Sequence, residues 1–503
     1  MIYKKNNVNI LQKKTISLKK KGRIIGLCHG VFDLIHSGHI EHFKEAKKYC
    51  DILIVSLTSD KYVDKGLNRP IYNQNKRAEI LKSINLINDV YINEERSSVN
   101  IIKNLKPNFY IKGPDYLVKK NDDAGNLIAE RKAVELNKGK IIFTSGKKLS
   151  STNLIYKEFD SFKSFENILK KIPKKNKLEL SKNLDRSLEL LKNLKILIIG
   201  EIIFDNYIYT SGLGKPSKEN ILSVKYQKDE LYLGGAYPVA KNLSELSRKV
   251  DLLTYVSSKN LNQIKKKNNK DSFNLKGLIT KEYKDIFKRR FVNEKTITKI
   301  FEYYEFNDQI YDNSKLLNFI KKNISNYDLV VVCDFGHGML NDSVIELLEK
   351  KSKYLCANVQ TNSGNRGYNL FTKYKNLNLL CIDEPELRLG LSDKFNKLEN
   401  CIKNNRMRGY KQIAITRGVD GMCFFNKNNF INYPALNSKT VDTIGAGDTL
   451  FAYLSAFSKV SNNYHLNCLI GSISAALKTN IVGNSETVKI KDIKDTLKSF
   501  LKN

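Results

Sequence analysis

Short apolar runs alternate with longer amphipathic stretches along most of the chain. Such apolar runs are typical of buried strands in a parallel sheet, and the amphipathic stretches are typical of the helices that connect them. In the first part of the chain the pattern predicts strands at residues 24–28, 52–57, 109–112 and 141–144. We therefore expect an α/β domain there.

A second alternating series predicts a second, larger α/β domain. Its predicted strands are residues 195–200, 328–334, 354–360, 377–383 and 412–417. Two other segments, residues 207–232 and 296–306, alternate polar and apolar side chains, which predicts antiparallel hairpins outside the main sheet. We expect these hairpins to form a small β lid.

The length of 503 residues exceeds the usual size of one hydrophobic core. We therefore divide the chain into a first domain at residues 1–156, a linker at 157–192 and a second domain at 193–503. The linker segment is rich in lysine and weakly amphipathic, and it carries no strand pattern. We expect it to be partly helical.

The formal net charge is +34, which raises the question of a polyanionic partner. The lysines are spread along the whole chain, so a generally cationic surface explains the charge better than a nucleic-acid site does. A positive field also favours small phosphorylated substrates. We find no signal peptide and no apolar run of about 18 residues, and we expect neither export nor a membrane partner.

The eight cysteines form no CxxC pair and show no spacing typical of metal ligands. Several of them lie inside apolar runs, which predicts buried, reduced thiols. A cytoplasmic protein is therefore expected.

Four of the six histidines lie within residues 29–42. His36 and His39 form an HxGH motif that follows a predicted strand and the Gly-Val-Phe-Asp turn at residues 30–33. Both histidines are expected at a helix N-terminus, where free N–H groups favour an anion such as a nucleoside triphosphate. In nucleotidyl transfer, negative charge shifts to the leaving pyrophosphate, and these imidazoles would supply donors over the α- and β-phosphates.

A second motif, Asp-Thr-Ile-Gly-Ala-Gly-Asp, occupies residues 442–448 and precedes a helical pattern. Small residues at a helix start leave backbone N–H groups open to an anion. Gly445, Ala446 and Gly447 are therefore expected to form an anion hole for a moving phosphoryl group. Asp448 would take the proton from an attacking hydroxyl, as phosphoryl transfer to an alcohol requires.

Several motifs follow the HxGH segment in an order that is familiar from one family: residues 69–70 with 75–77, residues 111–116 and residues 149–153. With these motifs, residues 26–155 resemble the cytidylyltransferase-like nucleotidyltransferases. The resemblance is closest to the adenylyltransferase half of the bifunctional heptose-phosphate kinase/adenylyltransferases. It implies a Rossmann-like domain that binds ATP or CTP.

The resemblance implies roles for further residues of the first domain. The nucleotide would contact the turn and the helix start at Gly30, Phe32, Asp33 and Gly38. Other residues implied at the phosphates are Lys47, Arg77, Ser150, Ser151 and Thr152, although the Ser-Ser-Thr run would by itself be read as a simple helix cap. Those implied near the transferase substrate are Lys112, Asp115 and Tyr116.

The second motif and its supporting segments resemble the ribokinase-like carbohydrate kinases over about residues 195–502. By that resemblance the residues of the sugar pocket are Asp205, Gly234, Gly235 and Asn242. Those near the nucleotide and Mg²⁺ are Asp383, Glu386, Thr416, Gly418 and Asp442, with Glu386 acting through water. No metal is expected to be bound tightly by protein side chains. Kinases of this type often pair through their lid strands, which implies a homodimer.

The chain departs from the kinase family at four single positions. Pro238 follows the glycine pair where related heptose kinases usually carry Asn, and Glu201 stands where Asp is usual. Asp383 opens the usual NxxE pattern, and His337 replaces a frequent Lys. The segment at residues 358–365 is also unusual, and we expect it to line an altered pocket.

The leading hypothesis is a bifunctional sugar-activating enzyme. Its kinase half would phosphorylate a sugar or a heptose-like sugar phosphate with ATP, and its transferase half would convert a sugar 1-phosphate to a nucleotide sugar. The order of the two halves is reversed relative to the known heptose enzymes. An alternative joins an active transferase to a kinase that is impaired or specific for another sugar, and a more distant one is a basic nucleic-acid-binding protein.

Overall fold

The computed structural model of the chain describes residues 2–63, 70–113, 126–145, 174–216, 218, 220–268, 273–280, 282–296, 298–307, 312–427, 429–436 and 440–502. The chain divides into two compact units, Met1–Lys163 and Ser164–Lys502. Both units are α/β, as predicted. The domain limits 156 and 192 stay a prediction, because residues 146–173 lie outside the described parts.

The first unit is built on a parallel sheet of six strands in the order β1-β4-β3-β2-β5-β6. The strands are β1 Ile2–Tyr3, β2 Ile25–Gly30, β3 Ile52–Thr58, β4 Asp89–Asn93, β5 Phe109–Lys112 and β6 Lys140–Phe143. The helices are α1 Val8–Lys20, α2 Ser37–Lys47, α3 Gln74–Lys82, α4 Val99–Leu105 and α5 Asn126–Leu136. The strand order reverses between β2 and β5, and α/β proteins bind ligands outside the carboxyl ends of strands at such a point.

Two apolar layers cover the two faces of this sheet. On β3, Leu53 and Val55 pack into one layer, whereas Ile54 between them packs into the other. This alternation follows from the strand period of two residues. Because both faces are covered, the strand reads as a continuous apolar run.

The second unit has a main sheet of nine strands in the order β11-β10-β7-β14-β15-β16-β17-β18-β19, of which only β18 and β19 run antiparallel to their neighbours. The strands are β7 Lys195–Gly200, β10 Lys249–Tyr255, β11 Asn274–Leu278, β14 Leu329–Asp334, β15 Leu355–Val359, β16 Leu379–Asp383, β17 Gln412–Thr416, β18 Met422–Asn426 and β19 Asn429–Tyr433. The helices of the second unit are α6 Lys174–Leu191, α7 Ala236–Ser244, α8 Ser258–Asn268, α9 Ser314–Asn323, α10 Asp342–Lys351, α11 Glu384–Leu391, α12 Leu398–Ile402, α13 Ala446–Val460, α14 Tyr464–Lys478 and α15 Ile490–Lys502.

A separate four-stranded sheet has the order β13-β12-β8-β9, and we call it the lid sheet. Its strands are β8 Ile202–Gly214, β9 Ser223–Gly235, β12 Ile286–Asn293 and β13 Lys299–Glu305. The first predicted hairpin is confirmed by β8 and β9. The second predicted segment, residues 296–306, holds only β13, whose antiparallel partner β12 precedes the predicted range, and β12 also runs parallel to β8. Only Glu201 separates β7 of the main sheet from β8 of the lid sheet.

Helix α6 lies within the lysine-rich segment that was predicted to be a partly helical linker. Its residues Leu180, Leu184 and Leu191 are buried, and the helix packs against α13 and α14 of the second unit. These leucines are four and seven residues apart, which places them on one face of an amphipathic helix and accounts for this packing. The C-terminal part of that segment therefore belongs to the packed second unit.

All eight cysteines are buried and unpaired with one another, as predicted. Among the helices that the structure describes, none has the length and the apolar character needed to cross a membrane.

Candidate active sites

The HxGH motif lies where β2 gives way to α2, at the strand-order reversal of the first sheet. His36 is the N-cap of α2 in an extended conformation, and His39 and Gly38 lie in the first turn of the helix. The imidazole rings of His36 and His39 are stacked, with 3.9 Å between their centroids. The sequence thus brings both rings to a helix N-terminus, where the helix dipole favours an anion.

The turn before the motif is held by its own residues. Phe32 has a φ of +47° and sets its ring edge-on to His39, with 5.4 Å between the centroids. A Cβ on Gly30 would lie 3.0 Å from the Phe32 ring, so a larger residue there would require the ring to shift. Asp33 is buried, and its Oδ1 accepts hydrogen bonds from the backbone N–H groups of Ile71 (2.7 Å) and Tyr72 (3.2 Å). Asp33 therefore fixes the turn.

Arg77 was predicted to neutralise phosphates, but the structure gives it a different position. Its side chain is 0% exposed and donates to the Tyr72 carbonyl at 2.8 Å and to the Val31 carbonyl. Its third partner is the Asp60 carboxylate. Because the guanidinium donates to these three acceptors, Arg77 braces the turn before the histidines. Its contact with phosphates stays a prediction.

Lys47 was also predicted at the phosphates, and that role stays a prediction. It is the last residue of α2, a helix of 11 residues whose first turn carries His39. Its Nζ donates to Asn88 at 2.9 Å and to the Asp51 carbonyl, just before β3. At 1.5 Å per residue, Lys47 lies roughly 12 Å along the helix from the histidines.

Lys112, predicted near the transferase substrate, is buried at the end of β5. Its Nζ forms an ion pair with Glu130 at 3.0 Å, and Glu130 also accepts hydrogen bonds from Ser98 and Tyr110. The pKa of Glu130 is lowered: burial would raise it, but the charges of Lys112 and His29 and the hydrogen bonds from Lys112 and Ser98 together outweigh this. Lys112 therefore joins a closed internal network.

Two neighbouring histidines are neutral at physiological pH. Burial lowers the pKa of His29, which hydrogen-bonds Ser56 at 3.0 Å, to about 4. Burial likewise lowers the pKa of His42, which hydrogen-bonds Thr144 at 2.8 Å, to about 4. The predicted residues Asp115, Tyr116, Ser150, Ser151 and Thr152 lie outside the described residues.

In the second unit, α13 begins at Ala446 and its N-cap is Gly445. Gly445 has a φ of +75°, and a Cβ there would lie 2.7 Å from the Asn484 Oδ1, so only glycine fits. Gly447 and Asp448 lie in the first turn of α13. The Ala446 N–H donates to the Thr443 carbonyl at 3.3 Å. The N–H groups of Gly447 and Asp448 lie in the first helical turn, which has no acceptor for them within the helix, and they can donate to an anion.

The Asp448 carboxylate is half-buried and accepts a hydrogen bond of 2.7 Å from the Gln360 side chain. Gln360 is held in turn by Asn358, whose Oδ1 accepts from the same amide at 2.8 Å. Burial raises the pKa of Asp448 to about 6, although Gln360, Lys478 and Lys288 act in the opposite direction. A carboxyl with this pKa is suited to accept a proton near neutral pH.

Asp442 was predicted near the nucleotide and Mg²⁺. Its Oδ2 accepts from the Gly483 N–H at 2.8 Å and from the Tyr207 hydroxyl at 3.0 Å, and its Oδ1 accepts from Lys299 at 3.2 Å. Burial would raise the pKa of Asp442, but the backbone hydrogen bonds from Gly483 and Ile444 hold it below its usual value. Asp442 thus ties the lid sheet to the anion-hole turn.

Asp205, predicted at the sugar hydroxyls, lies on β8 and is buried. Its Oδ1 accepts from the Arg290 Nε at 2.7 Å, and Arg290 on β12 also pairs with Glu302 at 2.6 Å. The Lys288 ammonium lies 4.4 Å from the centre of the Tyr304 ring, and burial lowers its pKa. The lid sheet therefore presents two cations beside Asp205.

Gly234 and Gly235 end β9 and lead into α7. Gly235 has a φ of +65°, and a Cβ there would lie 2.2 Å from the Glu201 carbonyl, so the close approach requires glycine. A Cβ on Gly234 would contact Asn484, which also approaches Gly445. The glycine pair and the anion-hole turn therefore meet around the same asparagine.

Asn242 was predicted in the sugar pocket, but its amide donates to the Thr449 hydroxyl at 3.3 Å and is buried between α7 and α13. It contacts Thr449, the residue after Asp448, and so supports the helix that carries the proposed catalytic base.

Pro238 is the third residue of α7. The first turn of a helix has no internal acceptor for its N–H groups, so a proline there removes no helical hydrogen bond.

Glu201 is fully buried and accepts from the N–H groups of Phe335 and His337, each at 3.3 Å. Burial and the charge of Asp334 raise the pKa of Glu201 to about 7. His337 hydrogen-bonds the Tyr304 hydroxyl of the lid sheet, and burial lowers its pKa to about 4. Both unusual residues thus hold one turn of the pocket wall together.

Asp383 and Glu386 form a reciprocal capping box at the start of α11. The two oxygens of Glu386 accept from the N–H groups of Thr361 and Asp383, both at 2.8 Å. Burial, together with the charge of Asp383, raises the pKa of Glu386 to about 8. Among the described residues there is no group of three or more His, Cys, Asp or Glu that could hold a metal ion.

Thr416 ends β17 opposite Asp383 in the parallel register. Gly418, two residues later, has a φ of +56°, and a Cβ there would have no neighbour within 4 Å. The carboxyl ends of β16 and β17 therefore lie side by side, with open space beside Gly418. Of the residues predicted near the nucleotide, Asp383, Glu386 and Thr416 are brought together.

Several residues of the site were not predicted as site residues. They are Gln360, Lys478, Lys288, Arg290 and Tyr304. Gln360 lies in the unusual segment 358–365, which was the one sequence signal available for it. The others are single basic or aromatic residues in a chain with 86 Lys and Arg and 26 Tyr, so nothing distinguished them.

Comparisons with known proteins agree with this geometry. Residues 27–157 match the family model of cytidylyltransferase-like proteins, and residues 193–486 match that of pfkB family carbohydrate kinases. The two family models thus cover the two compact units in the predicted order.

Curated relatives match in the nucleotidyltransferase part. The bifunctional protein HldE of Campylobacter fetus subsp. fetus is 36% identical over 154 residues, or 29% of this chain and 31% of that relative. The bifunctional protein HldE of Aliarcobacter butzleri is 40% identical over 133 residues, or 26% of this chain and 28% of that relative. The chain thus spans about a third of the length of these curated relatives.

The phosphofructokinase-2 of Escherichia coli, solved in complex with potassium, is similar in structure. Its TM-score is 0.51 at 12% identity, and the match covers 62% of this chain and 100% of that one. At that identity the likeness concerns the fold, which is ribokinase-like. Because the kinase family model spans residues 193–486, more than half of the 503 residues, this chain belongs to the pfkB family of carbohydrate kinases.

Proposed function

We propose that the chain is a bifunctional sugar-activating enzyme. Its second unit phosphorylates a sugar or a heptose-like sugar phosphate with ATP, and its first unit joins a nucleotide to a sugar 1-phosphate with release of pyrophosphate. The observation that carries the proposal is the half-buried Asp448 carboxyl in the first turn of α13, directly after the Gly445 turn. The stacked His36 and His39 support the second activity.

In the kinase reaction, Asp448 takes the proton of the attacking hydroxyl, and the oxygen attacks the terminal phosphorus of ATP. The bond to the leaving diphosphate breaks as the new bond forms. The Gln360 side-chain amide donates a hydrogen bond of 2.7 Å to the Asp448 carboxylate and so fixes its orientation. The N–H groups at the start of α13 stabilise negative charge on the moving phosphoryl group, because they are aimed before the reaction and need not reorganise.

Mg²⁺ is the metal that this chemistry implies. Each Glu386 oxygen already accepts one backbone N–H and retains capacity to accept another hydrogen bond. Because Mg²⁺ usually keeps several waters, Glu386 and Asp383 fit it as acceptors for its water ligands rather than as direct ligands. When bound, the ion would supply positive charge beside the phosphates. Thr416 and Gly418 are proposed to line the ATP site.

In the transferase reaction, His36 and His39 donate to the phosphates of ATP or CTP as charge moves to the departing pyrophosphate. The sugar 1-phosphate oxygen attacks the α-phosphorus and the α–β bridge bond breaks. Asp33 and Arg77 contribute by holding the preceding turn, through Ile71 and Val31 respectively. An imidazole ring carries at least one N–H donor in either protonation state, as this role requires.

Lys288 and Arg290 of the lid sheet support a phosphorylated sugar as the kinase substrate. They lie beside Asp205, and the charge of Asp448 acts on Lys288. Guanidinium and ammonium groups bind phosphate oxygens through charge-assisted hydrogen bonds. We therefore propose that Asp205 receives sugar hydroxyls and that the two cations receive the phosphate already on the sugar.

A second candidate is an active transferase joined to a kinase that is impaired or specific for another sugar. Pro238 and Asp383 favour it, because both replace residues that are usual in related kinases. We further propose that the protein acts in the cytoplasm, which its buried free thiols support, and that it pairs through the lid sheet. Exposed Phe301 and Tyr303 on β13 support this pairing.

The test measures ADP release with ATP, Mg²⁺ and a panel of heptose and hexose phosphates. The full chain and its Asp448→Asn variant are compared. Release by the wild type that falls by about 10³ in the variant supports the kinase activity. No release across the panel from folded protein would favour the second candidate.

A parallel assay measures pyrophosphate release with each nucleoside triphosphate and several sugar 1-phosphates. His39→Ala is expected to lower it by about 10² or more, because one donor to the charged transition state is lost. Unchanged turnover in His39→Ala would contradict the transferase assignment. Strong, salt-dependent RNA binding without either product would favour the nucleic-acid alternative.

A further inference from the structure

Lys478 is a buried lysine whose function is not assigned by the proposed mechanism. It is the last residue of α14, and 2% of it is exposed. Burying an ammonium group costs free energy unless oxygen atoms surround it. Its surroundings therefore decide what it does.

The Lys478 ammonium donates to the Gly483 carbonyl, and the N–H group of Gly483 donates to Asp442 at 2.8 Å. A Cβ on Gly445 would lie 3.2 Å from the Lys478 Cε and 3.7 Å from its Nζ. The ammonium group therefore lies against the Gly445 backbone. It is placed directly behind the turn from which α13 presents its N–H groups.

Two carboxylates act on this cation. Burial lowers the pKa of Lys478 to about 8, while Asp442 and Asp448 counteract that effect. In return, the charge of Lys478 lowers the pKa of Asp448. Lys299 also pairs with Asp442, but 38% of its side chain is exposed, so solvent weakens its influence.

A lysine at the end of a helix often only satisfies the last carbonyls of that helix. Lys478 differs, because its acceptor is Gly483, five residues beyond the end of α14. Its side chain runs past Gly445 of another helix start. A role in stabilising α14 alone does not require that path.

We infer that Lys478 is a positioning residue for phosphoryl transfer, whose ammonium group fixes the Gly445 turn and neutralises the carboxylates of Asp442 and Asp448 behind it. A single fixed cation at this place keeps the anion-hole N–H groups aimed. It also offsets the two negative charges that would otherwise repel the phosphoryl group. The inference rests on the proposed kinase activity.

The test uses the full chain with Lys478→Ala, which removes the ammonium and leaves space for a small cation. ADP release is measured in choline chloride and in ammonium chloride at equal ionic strength. We expect the variant to lose about tenfold or more in kcat in choline and to regain at least about threefold in ammonium. Wild-type turnover should be the same in both salts.

Two further variants serve as controls. Lys478→Met keeps the bulk of the side chain without the charge or the space, so it should lose activity and show no rescue by ammonium. Lys498→Ala removes an exposed lysine of α15 and should match the wild type in both salts. Wild-type activity of Lys478→Ala in choline, or equal activation of all four proteins by ammonium, would overturn the inference.

A readout without substrate separates this inference from the proposed function. Thermal unfolding of Lys478→Ala should shift to higher temperature in ammonium chloride relative to choline chloride, with no such difference for the wild type. If no sugar yields ADP with the wild type, this shift still supports a cation site at the turn. A melting temperature of the variant that is equal in both salts would contradict it. If Lys478→Ala is unfolded in both salts, wild-type kcat in folded Lys478→Met would overturn the inference and a loss of tenfold or more would support it.

Discussion

The side-chain amide of Gln360 donates a 2.7 Å hydrogen bond to the carboxylate of Asp448, 88 residues further along the chain. That bond stabilises the ionised carboxylate and so lowers its pKa, against the effect of burial. The proton acceptor of the proposed kinase is therefore adjusted by a residue on a different strand end. Four predictions follow from this and from related contacts.

Kinase activity should rise with pH through about 6, because Asp448 must be ionised to accept a proton. In Gln360→Leu the hydrogen bond is lost and the pKa of Asp448 rises, so the acid limb of kcat should move upward by about one pH unit. The measurement is a pH profile of ADP release. The groups that face Asp448 besides Gln360 are Lys478, Lys288 and Glu386.

Gln412→Leu is the matched control for that profile, since Gln412 lies at the amino end of β17, whereas Gln360 follows the carboxyl end of β15, which runs in the same direction. Its acid limb should coincide with that of the wild type. A Gln360→Leu profile that also coincides with the wild type would refute the role given to Gln360.

Gly445→Ala should abolish kinase activity and leave the transferase intact. A methyl group there meets the Asn484 oxygen at 2.7 Å, and alanine is strained at a φ of +75°. We expect ADP release to fall by about 10² or more, with pyrophosphate release unchanged. Gly212→Ala is the control, because a Cβ at this position in β8 would have no neighbour within 4 Å. It should release both ADP and pyrophosphate at the wild-type rates.

Arg77→Met should destabilise the first unit by about 1–3 kcal/mol, because it leaves the Tyr72 and Val31 carbonyls without their buried donor. The measurement is the denaturant concentration at which half of the pyrophosphate release is lost, compared between the variant and the wild type. Glu79→Gln on the exposed side of α3 should shift it by less than about 0.5 kcal/mol. If Arg77→Met unfolds at the same denaturant concentration as the wild type and only its KM for the nucleotide is raised, Arg77 is a phosphate ligand as predicted.

Lys47→Ala should leave the KM for the nucleotide within about twofold of the wild-type value, since the side chain lies at the far end of α2 from the histidines. Steady-state pyrophosphate release measures this. A tenfold rise in KM would mean that Lys47 reaches the phosphates after all.

Much of the fold was predictable because the apolar runs of a parallel sheet are local. The strands near residues 25, 52, 109 and 195 were predicted within a few residues of their observed limits. β4, Asp89–Asn93, was missed, since its short run contains Asp, Tyr and Asn. Its burial comes from pairing with β3, which no local pattern reveals.

The site was predictable where chemistry and backbone geometry coincide in one short segment, as at His36, His39 and the Gly445 turn. The positions of long side chains, which reach residues far away in sequence, could not be predicted. Arg77 resembles a phosphate ligand in sequence, yet Asp60 and the Val31 carbonyl enclose it. Lys478 meets Gly445 only because α14 folds back on α13, so sequence proximity carried no signal for it.

Glu201 joins the main sheet to the lid sheet by a single residue, and its carboxyl group holds the N–H groups of Phe335 and His337. Because one residue connects the two sheets, a tilt of the lid sheet must change the backbone angles of Glu201. Its hydrogen bonds to Phe335 and His337 would carry that change to the turn at residues 335–337. Lid angle and pocket shape are therefore mechanically linked, and a sugar that moves one also reshapes the other.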